Sequence, residues 1–242
     1  MAQITVEEFK NFFKYYKGEA HQQHAVEILY DELKKKTKEN NSLWMDMYRT
    51  PYAETEDADG PLIVNPLDVT YQSQNDNASG TGYRECFSSS CAMVAMYYGR
   101  VSNDDEYNLH RAQFGDSTDA QAQVRALRAL GLEANFITNA TTDDLKHQID
   151  IGRPTPCGWL HKGPVSAPSG GGHYSVVIGY THAGWIQHDP NGEALLVGGG
   201  YTGELDGSNM HYSYDNWNPR WIVEGEGSGW MMDISDPERL GK

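Results

Sequence analysis

Cysteine is scarce in this chain: there are three in 242 residues, at positions 86, 91 and 157, and none forms a C-x-x-C pair. An odd number without paired spacing excludes a disulfide scaffold and a four-cysteine zinc site, and fits a reducing compartment. Long apolar runs are missing as well. No window approaches the roughly 20 residues a bilayer-crossing helix needs. The N-terminal MAQITVEEFK lacks a basic segment followed by an apolar one, so no secretory signal is expected. The reading is a protein made in the cytoplasm, without stable membrane association and expected to be a monomer. Positive charge is in deficit, 19 Lys and Arg against 34 Asp and Glu, for a formal net charge of −15. That balance argues against nucleic acid, whose phosphates would be repelled.

What is present begins with size. A chain of 242 residues, 38% hydrophobic, can bury one sizeable core plus a small appendage. Residues 5–36 carry two helical stripes, Phe9, Phe12, Phe13 and Tyr16, then Ala25, Leu29 and Leu33, and SLWMDMYRTPY adds a third helix. We expect residues 1–51 to form a helical subdomain, either simply packed or recognising substrate. Residues 52–68, acidic and broken by Gly and Pro, read as a linker loop. A divalent cation such as calcium would suit its carboxylates, but no EF-hand spacing is present, and no cofactor is expected.

The remainder, residues 69–236, reads as one domain organised around CFSSSCAMVAMYYG. Cys91, Val94, Ala95 and Tyr98 fall at the spacing of one helix face turned to a core, whereas Cys86 stands outside that stripe at the helix start. A thiol there feels the positive end of the helix dipole, which favours the nucleophilic thiolate. The intervening serines are read as N-terminal capping residues. Further helices are expected over 103–114, 119–130 (N-capped by Thr118) and 142–149, with a strand at EANFIT. From Pro154 onward short strands alternate with glycine turns: TPCGWLH, HYSVVIGYT, WIQHD, MHYSY, RWIVEG and GWMMDI. Helices followed by an antiparallel sheet make an α+β fold.

A cysteine nucleophile needs a base and a group that orients the base. His173 opens the apolar strand HYSVVIGY behind three glycines, and Asp189 closes the next strand at a Pro-Asn-Gly turn. A short connection between antiparallel strands would set the two side by side. His188 is a competing ring, but alternation points it to the other sheet face. The oxyanion of acyl transfer needs donors; the Cys86 backbone N–H and a side-chain amide, Gln74 in preference to Gln72, are the candidates. Cys157 and His161 make only half a metal site, so no metal is expected. Phe87, Trp159 and Gly172 are candidate substrate contacts, and Trp217 and Trp221 are, with Trp159, candidates to line a groove, although burial is the commoner fate of Trp.

At this point the residues resemble a family. Gln74, CFSSSCAMVAMYYG, GHYSVVIGY and DPNG, taken in order, resemble the papain-like cysteine peptidases related to bacteriocin-processing, double-glycine leader peptidases. The resemblance implies Cys86 as nucleophile, His173 as general base, Asp189 as orienter and Gln74 as oxyanion donor. Phe87 stands where those peptidases usually have Gly, and the Gln-to-Cys interval is longer. The tail GGGYTGELDGSNMHYSYDNWNPRWIVEGEGSGWMM and the N-terminal FKNFFKYYKGEAHQQHAVEIL are similar to lysis proteins of tailed bacteriophages carrying this fold. That similarity implies an endolysin that hydrolyses peptide bonds of bacterial peptidoglycan after release through a separate pore. The alternatives are a papain-like peptidase processing a leader or other protein, and a non-catalytic wall-binding or virion protein. The acidic balance sits awkwardly with anionic walls; high salt, a locally neutral cleft or bridging ions would each reconcile the two.

Overall fold

Strands that are apolar on both faces need cover on both sides, and β-structure from Pro154 onward has that character, as in SVVIG and GWIQ. The computed structural model describes residues 66–239 and bears this out. Two single 3₁₀ turns, Gln74–Asp76 and Gly82–Arg84, lead into helix α1 (Cys86–Tyr97). Then come α2 (Asp104–Arg111), α3 (Ala120–Ala129), β1 (Glu133–Ala140), α4 (Thr142–Asp150), β2 (Thr155–Trp159), β3 (His173–Tyr180) and β4 (Gly184–His188). β5 (Met210–Ser213), α5 (Tyr214–Trp221) and β6 (Gly229–Ser235) complete the described elements. The strands form one antiparallel sheet in the order β1-β6-β2-β3-β4-β5. The fold is the expected α+β class. The helices expected before residue 52, and the linker up to residue 65, lie outside the described residues.

Helix α1 is the centre of the core. Every residue from Phe87 to Ala95 is buried, and Cys91 to Ala95 share one apolar cluster with Val176 and Ile178 of β3, Ile186 of β4, and Met232 and Ile234 of β6. Residues alternate across a strand, so Trp185, next to Ile186, points to the other face. There it meets Trp217 at 6.2 Å and Trp221 at 6.5 Å, both on α5. One sheet face therefore carries α1 and the other carries α5.

Three local expectations need correction. The serines of α1 do not cap it: Ser88 Oγ accepts from Arg111 Nε at 3.1 Å and from Gln123 Nε2 at 2.9 Å, and Ser89 donates to Asp104 at 2.9 Å. A helix buried all round uses such hydroxyls to satisfy polar neighbours instead. Asp119, not Thr118, caps α3, accepting from Gln121 N at 2.9 Å, because the Thr118 hydroxyl is engaged by Asp116. RWIVEG is not a strand; its Arg220 and Trp221 end α5, which tolerates Pro219 within its span of Tyr214–Trp221. Trp, Ile and Val in a row before a glycine read as a strand, and packing of Trp217 and Trp221 against Trp185 decided for helix.

Candidate active site

The short link between β3 and β4 sets the register that builds the site. Val176 lies opposite His188 and Val177 opposite Gln187, so continuing the ladder places Asp189 diagonal to His173 on one face. His173 Nε2 and Asp189 Oδ1 are 2.7 Å apart, both groups buried. Asp189 Oδ1 also accepts from Asn191 N at 3.0 Å, and its Oδ2 accepts from the Tyr212 hydroxyl at 3.0 Å. Both carboxylate oxygens are thus held in place by hydrogen bonds.

Cys86 starts α1, partly exposed, and its side chain acts on the His173 ring together with Asp189. With Nε2 committed to Asp189, Nδ1 is the nitrogen left for the thiol. Burial alone would lower the basicity of His173, but Asp189 and Cys86 more than offset it and hold the ring up to about 10. The imidazole is therefore a cation at neutral pH. Cys91 and Cys157 are fully buried, and burial pushes both thiols upward. Only Cys86, of the three, has a base beside it and access to solvent.

Gln74 begins the first 3₁₀ turn, buried, with its backbone N–H on Pro190 O at 2.8 Å and its Nε2 on Gly82 O at 2.9 Å. The first bond ties this loop to the D-P-N-G turn that carries Asp189. Gly82 approaches so closely that a Cβ there would collide with the Gln74 carbonyl. Gln72 is occupied elsewhere: its Oε1 accepts from Asp104 N at 3.2 Å at the start of α2. His188 lies on the opposite face, as alternation requires, where its Nδ1 accepts from Asn209 N at 3.0 Å. Nε2 therefore carries the proton and donates to Val69 O at 2.8 Å.

Two of the expected substrate contacts are corrected. Phe87 is 1% exposed and stacks on Tyr174 with ring centroids 3.6 Å apart, and Trp159 is 2% exposed. Trp159 stands edge-on to His173 at 5.3 Å and donates to Ser175 Oγ at 2.9 Å, so it is a wall behind the imidazole. Trp217 and Trp221 are buried too. Gly172 alone remains exposed, at φ +89° with open space around it. Two neighbours escaped the sequence reading, Tyr212, which reaches Asp189 through the β4–β5 register, and Tyr201, and a third, His161, was weighed only as half of a metal site; the rings of His161 and Tyr201 lie 5.7 and 5.6 Å from that of His173. Their sequence surroundings carried no signal, since only the folded loops bring them in. No cluster of three or more metal-ligating side chains occurs among the described residues, and no helix among them is long and apolar enough to cross a membrane.

A family model, the Peptidase C39-like family, matches residues 66–199, more than half of the chain. The chain belongs to the Peptidase C39-like family. The match covers Gln74, Cys86, His173 and Asp189 together. Among solved structures, this family member is similar to a double-glycine motif protease from an AMS/PCAT transporter, solved with its leader peptide. There the identity is 17%, the coverage 70% of this chain and 92% of the other, and the TM-score 0.43. The peptidase domain of Streptococcus ComA, a bifunctional ABC transporter of a quorum-sensing pathway, is 20% identical over 63% of this chain and 92% of its own, with a TM-score of 0.43. A C39-like peptidase structure from Bacillus anthracis is 15% identical over 69% and 96%, with a TM-score of 0.48. No curated protein sequence matches the chain.

Proposed function

We propose that this C39-like protein is a cysteine peptidase in which Cys86 attacks the scissile carbonyl, His173 carries the proton and Asp189 fixes the ring. The observation that supports it most is the shared imidazole: Asp189 at 2.7 Å and the Cys86 side chain acting on the same ring. In the proposed cycle the thiolate attacks the carbonyl carbon. The oxyanion is taken by the Cys86 backbone N–H, which has no intrahelical acceptor at the first helical position, and by the second N–H of Gln74 Nε2. His173 then gives its proton to the leaving amine, and the neutral ring draws a proton from the water that hydrolyses the thioester. Cys86→Ala abolishing turnover of a cleaved peptide, with the fold intact by circular dichroism, is the expected result. Turnover that survives that substitution ends the proposal.

For the substrate we infer peptide bonds of bacterial peptidoglycan, on the likeness of the chain's ends to phage lysis proteins. Family membership favours a second reading, cleavage of a leader or other polypeptide, as in the double-glycine protease solved with its leader peptide. Incubation with purified cell walls and, separately, with a double-glycine leader peptide, followed by mass spectrometry, separates them. New termini from walls support the first; cleavage of the peptide alone supports the second. A non-catalytic wall-binding role predicts uniform, slow iodoacetamide labelling of all cysteines, whereas the peptidase reading predicts selective labelling of Cys86.

A further inference from the structure

Beside the Cys86–His173 pair stand two loops with no part in the steps above. The one after β2 carries His161, and the one between β4 and β5 carries Tyr201. The two are built as a unit. Gly200 N donates to His161 O at 2.7 Å and Val165 N to Val197 O at 2.9 Å. Gly199, at φ +81°, lies so close to Gly163 that any side chain would strike its backbone. Arg220, fully buried on α5, donates to Leu160 O at 2.9 Å, to Gly163 O at 2.8 Å and to Leu196 O, so one guanidinium clamps both loops. Such a clamp fixes side-chain positions that loops otherwise leave free.

The rings it fixes converge on the catalytic imidazole. His161 and Tyr201 are 6.0 Å apart, and each is within 6 Å of His173. His161 Nδ1 is buried and has no hydrogen-bond partner among the described residues, an arrangement that costs free energy unless a ligand supplies the partner. The charges acting on His161 are His173, Lys162 and Arg220, all positive, against Asp189 alone, and Asp189 has both oxygens engaged. Burial and those cations lower His161 to about 4, so at neutral pH its ring is an uncharged donor inside a positive field. In a chain of net charge −15 this is a local reversal of sign. The leaving nitrogen must approach His173 to take its proton, so the side chains beside that ring, the Trp159 wall behind it excepted, face the leaving fragment.

We propose that His161, Lys162 and Tyr201 form a carboxylate-binding subsite on the leaving-group side of the Cys86–His173 pair. The peptidase then prefers a leaving fragment with a free carboxylate close to the scissile bond. The proposal rests on the catalytic reading above and narrows its substrate class. A carboxylate offers two acceptor oxygens, matching the imidazole N–H and the tyrosine O–H, and the flanking cations supply the charge.

The test measures protection of Cys86 in the full chain. Alkylation by iodoacetamide at pH 7 is followed by mass spectrometry with increasing glycylglycine, and separately with glycylglycine amide. The acid is expected to halve the rate at a concentration about tenfold lower than the amide. That ratio should fall below about twofold in H161A and in Y201F, and decrease in K162A, whose exposed side chain leaves folding unaffected. Each variant's rate without peptide serves as its own reference. Equal protection by acid and amide in the wild type overturns the subsite, as does a preference that persists in all three variants. Failure of Cys86 to label selectively would instead overturn the catalytic reading, and the subsite with it.

Discussion

His173 is the residue on which the proposed chemistry converges, and its charge state follows from two neighbours. Asp189 lies 2.7 Å from Nε2, and Cys86 acts on the same ring. The ion pair requires a protonated imidazole, so activity should fall on the alkaline side as the ring loses its proton near 10 rather than near its ordinary 6.5. In Asp189→Asn the alkaline limb of kcat/KM should move down by at least one pH unit and the maximal rate drop by two orders of magnitude or more. An unmoved limb would show that Asp189 does not set the ring's charge. Tyr212→Phe removes the donor to Asp189 Oδ2; we expect a fall of about five- to twentyfold in kcat with little change in KM, the mark of a positioning residue. Cys91→Ser places a hydroxyl in a fully buried site and should cost about 1–3 kcal/mol of stability in chemical denaturation while sparing catalysis.

At the scale of elements, the start of α1 is held by a buried carboxylate. Glu85, the residue before Cys86, is 2% exposed and accepts from Asn77 Nδ2 at 2.7 Å, Ser79 Oγ at 2.7 Å and Thr81 Oγ1 at 2.8 Å. Burial opposes its charge, but these donors outweigh it and lower the carboxyl below the ordinary range. One side chain thus ties the loop 77–81 to the helix that presents Cys86. Glu85→Ala takes the carboxylate acceptor from the buried Asn77 amide and frees the exposed Ser79 and Thr81 hydroxyls, and should cost about 1–3 kcal/mol by denaturant titration, with a loss of activity larger than any loss of fold explains. Gly82→Ala tests the same loop from the other side: its Cβ would displace the Gln74 carbonyl, and the expected loss is in kcat rather than KM, because Gln74 is assigned to the oxyanion.

For the whole molecule, buried histidines shape the dependence of stability on pH. His173 is raised from 6.5 to about 10 in the fold, so its contribution is fully present below about 6.5 and is lost as pH rises through about 10. His188, buried and neutral, is lowered; below its ordinary range the unfolded chain takes up a proton that the folded one resists, so stability falls on the acid side. Glu85 adds to that acid loss as pH drops through its lowered value. The melting temperature should therefore peak near neutrality. Asp189→Asn should flatten the alkaline arm, and an unchanged arm in that variant would contradict the linkage. What the chain alone determined is whatever depends on neighbours in sequence: the helix starting at Cys86, the apolar strand opened by His173, and the turn holding Asp189, since periodicity and turn chemistry are local. The β3–β4 pairing was also legible, because a short connection leaves little choice of register. Tertiary structure alone decided the rest. Trp159 and Phe87 became walls because both sheet faces are covered, Tyr212 met Asp189 through the pairing of β4 with its neighbour β5, and Arg220 drew His161 and Tyr201 together across about 60 and 20 residues of chain. Contacts between distant segments depend on which faces bury one another, and no spacing along the chain encodes that.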